Sequence, residues 1–176
     1  MSAPVVGRFA PTPSGRLHLG NLLCALIAYL SVRRQDGRFL LRIEDLDKPR
    51  CPRRLCDAAL SDLAWLGFVW DEPPLVQSER TDIYRHYFDL LDERGLLYPC
   101  FCTRAQLHAA DAPNRGDDTP VYSGACAHLT PEEIAERMKT RRPAWRLRVP
   151  DETVAVQDRH YGWFSENLAR DCGDFI

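Results

Sequence analysis

Two short stretches of the sequence combine residue types that could do chemistry. The first, GRFAPTPSGRLHLGN (residues 7–21), holds Arg8, His18 and several prolines and glycines directly before an apolar segment. Proline fixes its own φ and restricts the residue before it, so the loop is stiff. A helix that follows such a loop offers free N–H groups and a positive dipole end, which attract phosphate-like anions. The stretch predicts an anion site beside His18, with a proline-rich turn and a solvated histidine as the alternative.

The second stretch holds three of the seven cysteines. Cys100 and Cys102 form a C-x-C pair, and Cys126 follows after a segment rich in Pro, Gly and Asp. Three thiolates and one further donor complete a closed, tetrahedral zinc site of the structural type. Tyr122 and His128 could each supply the fourth ligand, and general ligand chemistry favours the histidine over a phenol. The alternative is a loop with free thiols.

The segments around the first stretch predict a β-α-β unit. PVVGRFA is typical of a strand, residues 17–34 show helical apolar recurrence, and GRFLLRIED is typical of a buried strand that ends in carboxylates. This order of elements implies a parallel sheet. Further helices are predicted within residues 52–70 and 80–98, the second ending near Gly95.

After residue 98 the composition changes to a segment rich in Pro, Gly, Asp and Cys, which suggests an insertion. Thr130 and Glu133 form the capping box of another predicted helix. AWRLRVP and ETVAVQD alternate in polarity and are typical of strands. The second half of the chain is therefore expected to be irregular at first and then to return to regular structure.

Composition narrows the class of protein. The 176 residues are 45% hydrophobic and 27% charged with a net charge of −2, as in an ordinary folded protein of one domain or one domain with a small insertion. No apolar run approaches the ~20 residues of a membrane span, and the first residues lack the pattern of a secretory signal. We expect a cytoplasmic protein with no membrane partner.

RFAPTPSGRLHLGN followed by LLRIEDLD resembles the glutamate-specific class I aminoacyl-tRNA synthetases. HLGN stands at the position of their HIGH signature, RFAPTPSG resembles the segment that recognises glutamate and shapes the ATP site, and RIED resembles the strand end whose glutamate contacts the substrate amino group. LGFVWDE, QSERTDIYRHYFDLLDERGLLYPCFCTR and GDFI are similar to the same family. The resemblance runs nearly end to end.

The resemblance implies an α/β, Rossmann-type parallel sheet that makes glutamyl-adenylate from glutamate and ATP, with magnesium accompanying the ATP. Arg8 would pair with the glutamate side chain, and Glu44 would bind its amino group. His18 and Asn21 would hold the phosphates as catalytic residues, with Asn21 in place of the second histidine of the signature. The implied glutamate-binding residues are Arg8, Phe9, Ala10, Pro11, Thr12 and Glu44; the implied ATP-binding residues are Pro11, His18, Gly20 and Asn21.

The resemblance also bears on the cysteines. Short, tRNA-modifying members of the family show C-x-C…Y-x-x-x-C, which matches Cys100, Cys102, Tyr122 and Cys126 as ligands of one structural zinc ion. Longer, tRNA-charging members more often use C-x-C…C-x-H, which Cys102, Cys126 and His128 also fit. We choose Tyr122 as the fourth ligand and keep His128 open.

The short members transfer glutamate to the queuosine base of tRNA(Asp), and this is the expected activity of the parent enzyme, acting as a monomer. The family's KMSKS-like lysine loop has no match, since neither Lys48 nor Lys139 stands in such a motif. The expected organisation is a first half of the catalytic domain (1–97), a zinc-stabilised insertion (98–130) and the start of a connecting region (131–176), with the remaining catalytic domain absent. The alternatives are an N-terminal fragment of an enzyme charging tRNA(Glu) and a non-catalytic, zinc-containing module that binds tRNA or protein.

Overall fold

The computed structural model describes residues 4–107, 114–115 and 119–176. The chain divides into two compact units, Met1–Arg85 and His86–Ile176. Parts of the predicted insertion, residues 108–113 and 116–118, lie outside the described residues. The functional boundaries at residues 97 and 130 remain a prediction.

The first unit contains the predicted β-α-β arrangement. It consists of strand β1 (Val6–Phe9), helix α1 (Leu19–Arg33) and strand β2 (Arg38–Ile43), and β1 pairs with β2 in parallel. Helix α2 (Arg53–Trp65) follows, and a short strand β3 (Leu75–Val76) pairs in parallel with β2. The sheet order is β1-β2-β3, so the expectation of a parallel sheet with helices is confirmed.

A continuous apolar core joins these elements. Tyr29 of α1 places its ring edge against Phe39 of β2 and against Phe68, with centroids 5.1 and 5.2 Å apart. Gly7 of β1 lies so close to α1 that an added Cβ would come within 2.1 Å of Cγ2 of Val32. The helix therefore seats directly on the sheet because β1 has no side chain there. The buried members are Phe9, Ala25, Val32, Phe39, Leu41, Leu63 and Phe68.

The opposite face of α1 is apolar as well. Its large side chains are 43 to 82% exposed in the described part of the chain. None of the helices among the described residues is long and apolar enough to cross a membrane. The exposed members of this face are Leu19, Leu23, Leu26, Ile27 and Leu30.

A 3-10 turn (Gln77–Arg80) leads into helix α3 (Thr81–Glu93), within which the division between the units falls. In the second unit, strand β4 (Leu97–Cys100) pairs antiparallel with β7 (Ala144–Leu147). Between them lie α4 (Arg104–Leu107), β5 (Asn114–Arg115), β6 (Thr119–Pro120) and α5 (Pro131–Met138), and β5 pairs with β6. The hairpin β8 (Thr153–Asp158) and β9 (Gly162–Asn167) and the short helix α6 (Leu168–Asp171) follow.

The predicted capping box of α5 is present. Glu133 N–H donates to Thr130 Oγ1 at 3.3 Å, and Thr130 N–H donates to the Glu133 carboxylate at 2.8 Å. The strands β4 and β9 were not predicted. Pro99 interrupts the strand pattern of β4, and β9 (GWFSEN) acquires its extended form by pairing with β8.

The core of the second unit is small and centred on sulfur. Its buried residues are Tyr98, Cys100 and Cys126, with Cys102 and Tyr122 packed against them. The residues singled out as metal ligands thus also form the interior of this unit.

Candidate active site and metal centre

The N-terminus of α1 is built around His18, which is the N-cap residue of the helix. Its Nδ1 accepts hydrogen bonds from the backbone N–H groups of Gly20 at 3.1 Å and Asn21 at 3.4 Å. The Asn21 side-chain oxygen accepts in return from the His18 N–H at 3.1 Å. Histidine and asparagine therefore form a reciprocal capping box at the start of the helix.

This cap determines which donors remain. Because Nδ1 of His18 accepts, the neutral ring carries its proton on Nε2 and keeps that N–H as a donor. Because Asn21 uses its oxygen in the cap, its NH₂ group also remains a donor. The two side chains of the HLGN motif thus offer N–H groups at the positive end of the α1 dipole, where an anion is favoured.

The cap also limits how this loop can meet an anion. The backbone N–H groups of Gly20 and Asn21 donate to the His18 ring and are therefore not free for a ligand. The side chains of His18 and Asn21, together with the helix dipole, are therefore the groups that can meet a phosphate. An added Cβ on Gly20 would lie 3.1 Å from the His18 ring, so the glycine leaves room for this cap.

The loop before α1 is held to α2. Arg16 donates from Nε and Nη2 to the two carboxylate oxygens of Asp62, at 3.0 and 2.6 Å. Such a two-point contact fixes orientation as well as distance. It fixes the path of the chain two residues before His18.

The expected glutamate-binding residues lie at the carboxyl ends of β1 and β2. Arg8 and Thr12 have exposed side chains, and Phe9 is buried in the core. Glu44 N–H donates to the Pro11 carbonyl at 3.0 Å, which brings the two strand ends together. Ligands of open parallel sheets bind at this edge. Since Phe9 packs inward, only its backbone can face a ligand.

Two carboxylates follow β2 and have different partners. Glu44 pairs with the Arg42 guanidinium, and both side chains are partly exposed. Asp45 is buried and accepts from the Ser78 N–H at 2.9 Å and the Ser78 hydroxyl at 2.6 Å. Burial alone would raise the pKa of Asp45, but the hydrogen bonds from Ser78 outweigh it and hold the pKa below its usual value. Asp45 thus ties the end of β2 to the turn before α3.

The three clustered cysteines converge in the second unit. Their Sγ atoms all lie within 4.8 Å of one another, and Cys102 and Cys126 are 3.7 Å apart. The Tyr122 hydroxyl lies 3.5 Å from Cys100 Sγ and accepts from the Cys126 N–H at 2.9 Å. The Phe101 N–H points at Cys126 Sγ from 3.5 Å. Three sulfurs therefore lie together, and the phenol oxygen of Tyr122 lies beside one of them.

These distances fit a tetrahedral zinc ion. With Zn–S distances of about 2.3 Å, two sulfurs of a regular tetrahedron are about 3.8 Å apart, and a sulfur and an oxygen ligand are about 3.5 Å apart. The Cys102–Cys126 distance of 3.7 Å and the Cys100–Tyr122 distance of 3.5 Å match both edges. Among the described residues, the group of His, Cys and acidic side chains close enough to share an ion consists of the three cysteines, without His128.

The thiols and the phenol differ in acidity without a metal. Burial raises the pKa of Cys100, but hydrogen bonds from Tyr122 and Arg146 outweigh it and lower the pKa to about 7. Burial and the neighbouring thiols Cys126 and Cys100 raise the pKa of Cys102 to about 11. Burial and the hydrogen bond with Cys100 raise the pKa of Tyr122. Only the charge of a bound cation would favour all four as anionic ligands.

Several residues at these sites were missed from the sequence. Asp45 stood beside Glu44 without an assigned role, and Arg146 was one polar position in an alternating strand. Gly173 and Asp174 belong to the GDFI segment, and the sequence indicated no separate role for either residue. The signal for Arg146 was present, because an arginine at an inward position of a strand needs a polar environment.

The comparisons with known proteins agree with this fold. The family described as tRNA synthetases class I (E and Q), catalytic domain, matches residues 4–165. The chain belongs to this family.

Named relatives are similar over most of the chain. A glutamyl-Q tRNA(Asp) synthetase of Thiobacillus denitrificans is 44% identical over 174 residues, which cover 99% of this chain and 55% of the relative. One of Symbiobacterium thermophilum is 48% identical over 163 residues, covering 86% of this chain and 50% of the relative. A protein named glutamate–tRNA ligase 2 of Alkalilimnicola ehrlichii is 42% identical, covering 96% and 38%.

A solved structure has the same fold. The crystal structure of a glutamate tRNA ligase from Elizabethkingia meningosepticum in complex with its amino acid matches with a TM-score of 0.73 and 30% identity, covering 99% of this chain and 38% of that one. The chain spans about half the length of the glutamyl-Q tRNA(Asp) synthetases that it matches.

Proposed function

We propose that the chain belongs to an enzyme that activates glutamate with ATP to glutamyl-adenylate and transfers it to the queuosine base of tRNA(Asp). The observation that carries this proposal is the 44% identity, over 99% of the chain, to a glutamyl-Q tRNA(Asp) synthetase. Such an enzyme works on a cytoplasmic RNA, so we place it in the cytoplasm, as a monomer.

The geometry at α1 supports the activation step. In this reaction the carboxylate of glutamate attacks the α-phosphate of ATP in line, and no protein nucleophile is needed. The protein contributes position and stabilisation of phosphate charge. The Nε2–H of His18 and the NH₂ of Asn21 are donors at the positive end of α1, as that role requires. ATP would enter with magnesium.

The strand ends support recognition of an amino acid. We assign Arg8 to the side-chain carboxylate of glutamate, which a guanidinium can bind through two hydrogen bonds. We assign Glu44 to the amino group, with the backbone of residues 9–12 forming the floor between them. The Arg42–Glu44 ion pair fixes the direction of the Glu44 carboxylate.

Exchange of pyrophosphate into ATP tests the activation step. The reaction is run on the whole enzyme to which this chain belongs, with glutamate and ATP, with and without tRNA. Exchange without tRNA supports the proposed enzyme. If exchange requires tRNA, the chain belongs to an enzyme that charges tRNA(Glu), a second candidate favoured by the 42% identity to a glutamate–tRNA ligase 2. Binding of tRNA without exchange under either condition would contradict both.

Paired variants of His18 separate chemistry from capping. His18→Ala removes the Nε2–H and the cap, whereas His18→Ser removes the Nε2–H and keeps a good cap. Both should lower the exchange rate, by about 10²-fold or more if the donor acts on the transition state, and only His18→Ala should lower stability, by about 1 kcal/mol. If His18→Ser exchanges as fast as the unchanged protein, the assignment to phosphate is wrong.

We propose that the cysteine centre holds one structural zinc ion bound by Cys100, Cys102, Cys126 and Tyr122. The matching tetrahedral edge lengths support it. Zinc content near one per chain should fall in Cys100→Ser and Cys126→Ser. Tyr122→Phe should weaken zinc binding, and His128→Ala should leave it unchanged. The reverse pattern for the last two variants would move the fourth ligand to His128.

A further inference from the structure

A buried arginine lies beside the cysteine centre. Arg146 of β7 is only 5% exposed, and its guanidinium carbon lies 3.5 Å from the centroid of the Tyr122 ring. One of its terminal N–H groups donates to the Asp174 carbonyl. Its Nε is buried and has no hydrogen-bond partner among the described residues.

Among the described residues, this arginine has the Cys100 thiol as a partner but no carboxylate. Within the described parts of the chain, no acidic oxygen forms an ion pair with Arg146, although Asp174 is adjacent through its backbone. The Asp174 carboxylate instead accepts from the Tyr98 hydroxyl and the Val149 N–H. A buried charge without a counter-charge is costly. The positive charge of Arg146 therefore needs a negative partner from another source.

The proposed ligand set supplies that charge. Three thiolates and one phenolate around Zn²⁺ leave a net charge of −2, since the ligands bind in their deprotonated forms. A histidine in place of the tyrosine would leave −1. The four-ligand set with Tyr122 is thus the more negative alternative, and the cation lies directly over the ring of that residue.

The neighbouring arginines are arranged differently. Arg148 donates to the Ala127 carbonyl at 2.9 Å and lies 4.5 Å from the Tyr98 ring, and Arg141 donates to the Phe101 carbonyl at 2.9 Å. Arg141 is exposed and Arg148 only half-buried, so water screens both charges. Of these three cations, only Arg146 is buried against a proposed ligand.

The GDFI segment holds Arg146 and Tyr122 together. Gly173 has a φ of +67°, and an added Cβ would lie 2.7 Å from the Tyr122 carbonyl oxygen and 2.9 Å from its nitrogen. The next residue, Asp174, accepts from Arg146. This short segment thus contacts the backbone of Tyr122, the proposed ligand, and holds the Arg146 guanidinium through a hydrogen bond.

We propose that Arg146 is the counter-charge of the metal centre and that its guanidinium, placed over the Tyr122 ring, holds the tyrosine in place as the fourth ligand. This inference rests on the proposed zinc site. Arg146 is a positioning residue that acts through Tyr122 and through its hydrogen bond to Cys100. It explains how a phenol can serve where a histidine would be expected.

The test measures zinc affinity by competition with a chromophoric chelator, using the 176-residue chain. Groups that surround metal ligands typically change affinity by about 10- to 100-fold, so Arg146→Met should weaken zinc binding by about that factor. Arg148→Met is the matched control and should change it by no more than about threefold, since a half-exposed charge is screened. In a Tyr122→Phe background, Arg146→Met should have a clearly smaller effect.

Cobalt gives a second readout. The Co²⁺-substituted protein reports the ligand set by its visible absorption, and Arg146→Met should shift the spectrum toward that of Tyr122→Phe. Arg146→Lys keeps the charge and should retain the spectrum of the unchanged protein. Circular dichroism shows whether Arg146→Met folds. If it does not, the Co²⁺ spectrum of Arg146→Lys tests the proposal instead. A spectrum like that of Tyr122→Phe would then contradict a role for the charge of Arg146.

Further outcomes would also overturn the inference. They are an unchanged affinity in Arg146→Met, an equal loss in Arg146→Met and Arg148→Met, or the same loss with and without the Tyr122 hydroxyl. Cys100→Ser distinguishes these from failure of the zinc site. If Cys100→Ser binds zinc as tightly as the unchanged chain, the zinc proposal itself is wrong.

Discussion

The interiors of the two units are stabilised in different ways. The first has a continuous apolar core of seven buried side chains contributed by a parallel sheet and its helices. In the part of the second unit that the structure describes, the buried cluster consists of three residues, two of them cysteines. Cys102, Tyr122, Ala127 and Leu129 pack against that cluster, and the Arg146 guanidinium lies over the Tyr122 ring.

The difference shows what a unit with a small apolar core needs. A core of few apolar side chains rarely supplies enough stability, and metals or disulfides commonly make up the deficit. The first unit buries apolar surface because a β-α-β unit packs a helix onto a sheet. In its described residues, the second unit pairs its strands two by two and its helices α4, α5 and α6 are short, so a metal at its centre would add to a small core.

Removal of metal should give the largest effect and should separate the two units. Structural zinc contributes about 10–16 kcal/mol in zinc-finger peptides, so a strong chelator should unfold the region around β4 and β7. Amide hydrogen exchange should show lost protection there, while β1, α1 and β2 keep theirs. Cys172→Ser, a cysteine of the same unit outside the centre, should respond to chelation as the unchanged protein does. Equal loss of protection in both units would break the comparison.

Phe39→Ala should damage only the first unit. Phe39 is completely buried and contacts Tyr29, so truncation should lower the free energy of unfolding by about 3–5 kcal/mol. Urea unfolding measures the loss. Val6→Ala, at a side chain that is 52% exposed, is the control. Zinc content should stay unchanged, and a parallel loss of zinc would show that the two units depend on each other.

Gly173→Ala should damage the second unit through backbone contact. The new Cβ would collide with the backbone of Tyr122 at 2.7 Å, at a positive φ. Gly162→Ala is a matched control, because its φ is +85° and no atom lies within 4 Å of the added Cβ. In both variants the positive φ should lower the free energy of unfolding by about 1–3 kcal/mol. Only Gly173→Ala should also weaken zinc binding; similar zinc affinities would contradict the contact.

Asp45→Asn should have the smallest effect and should depend on pH. The pKa of Asp45 is lowered in the folded state, so its charge stabilises the fold above the unfolded pKa of about 3.9 and the stabilisation disappears as pH falls. Near pH 7 the free energy of unfolding of the variant should be lower than that of the unchanged protein by about 1–3 kcal/mol. This difference should shrink below about pH 4. Denaturant unfolding at several pH values measures it. Asp57→Asn is the control, because Asp57 belongs to an exposed ion pair. It should lower the free energy of unfolding by less than about 1 kcal/mol at any pH.

Much of the first unit could be predicted from local sequence. The apolar recurrence from residue 17 to 34 and the buried run GRFLLRIED correctly predicted α1 and β2, and their order predicted parallel pairing. Local patterns succeed here because each element has a clear periodicity. The cap by His18 was harder to foresee, since the same ring nitrogen could have faced a ligand.

The sequence by itself determined the family, the parallel β-α-β unit and the set of residues with ligand chemistry, because these follow from local spacing and motif. Tertiary structure decided the rest. It turned Nδ1 of His18 toward the helix, paired Glu44 with Arg42, buried Asp45 against Ser78, and placed Tyr122 rather than His128 beside the cysteines. It also brought Arg146 and Gly173 to Tyr122. These contacts join residues distant in the chain or choose between atoms of one side chain, and only packing in three dimensions makes such choices.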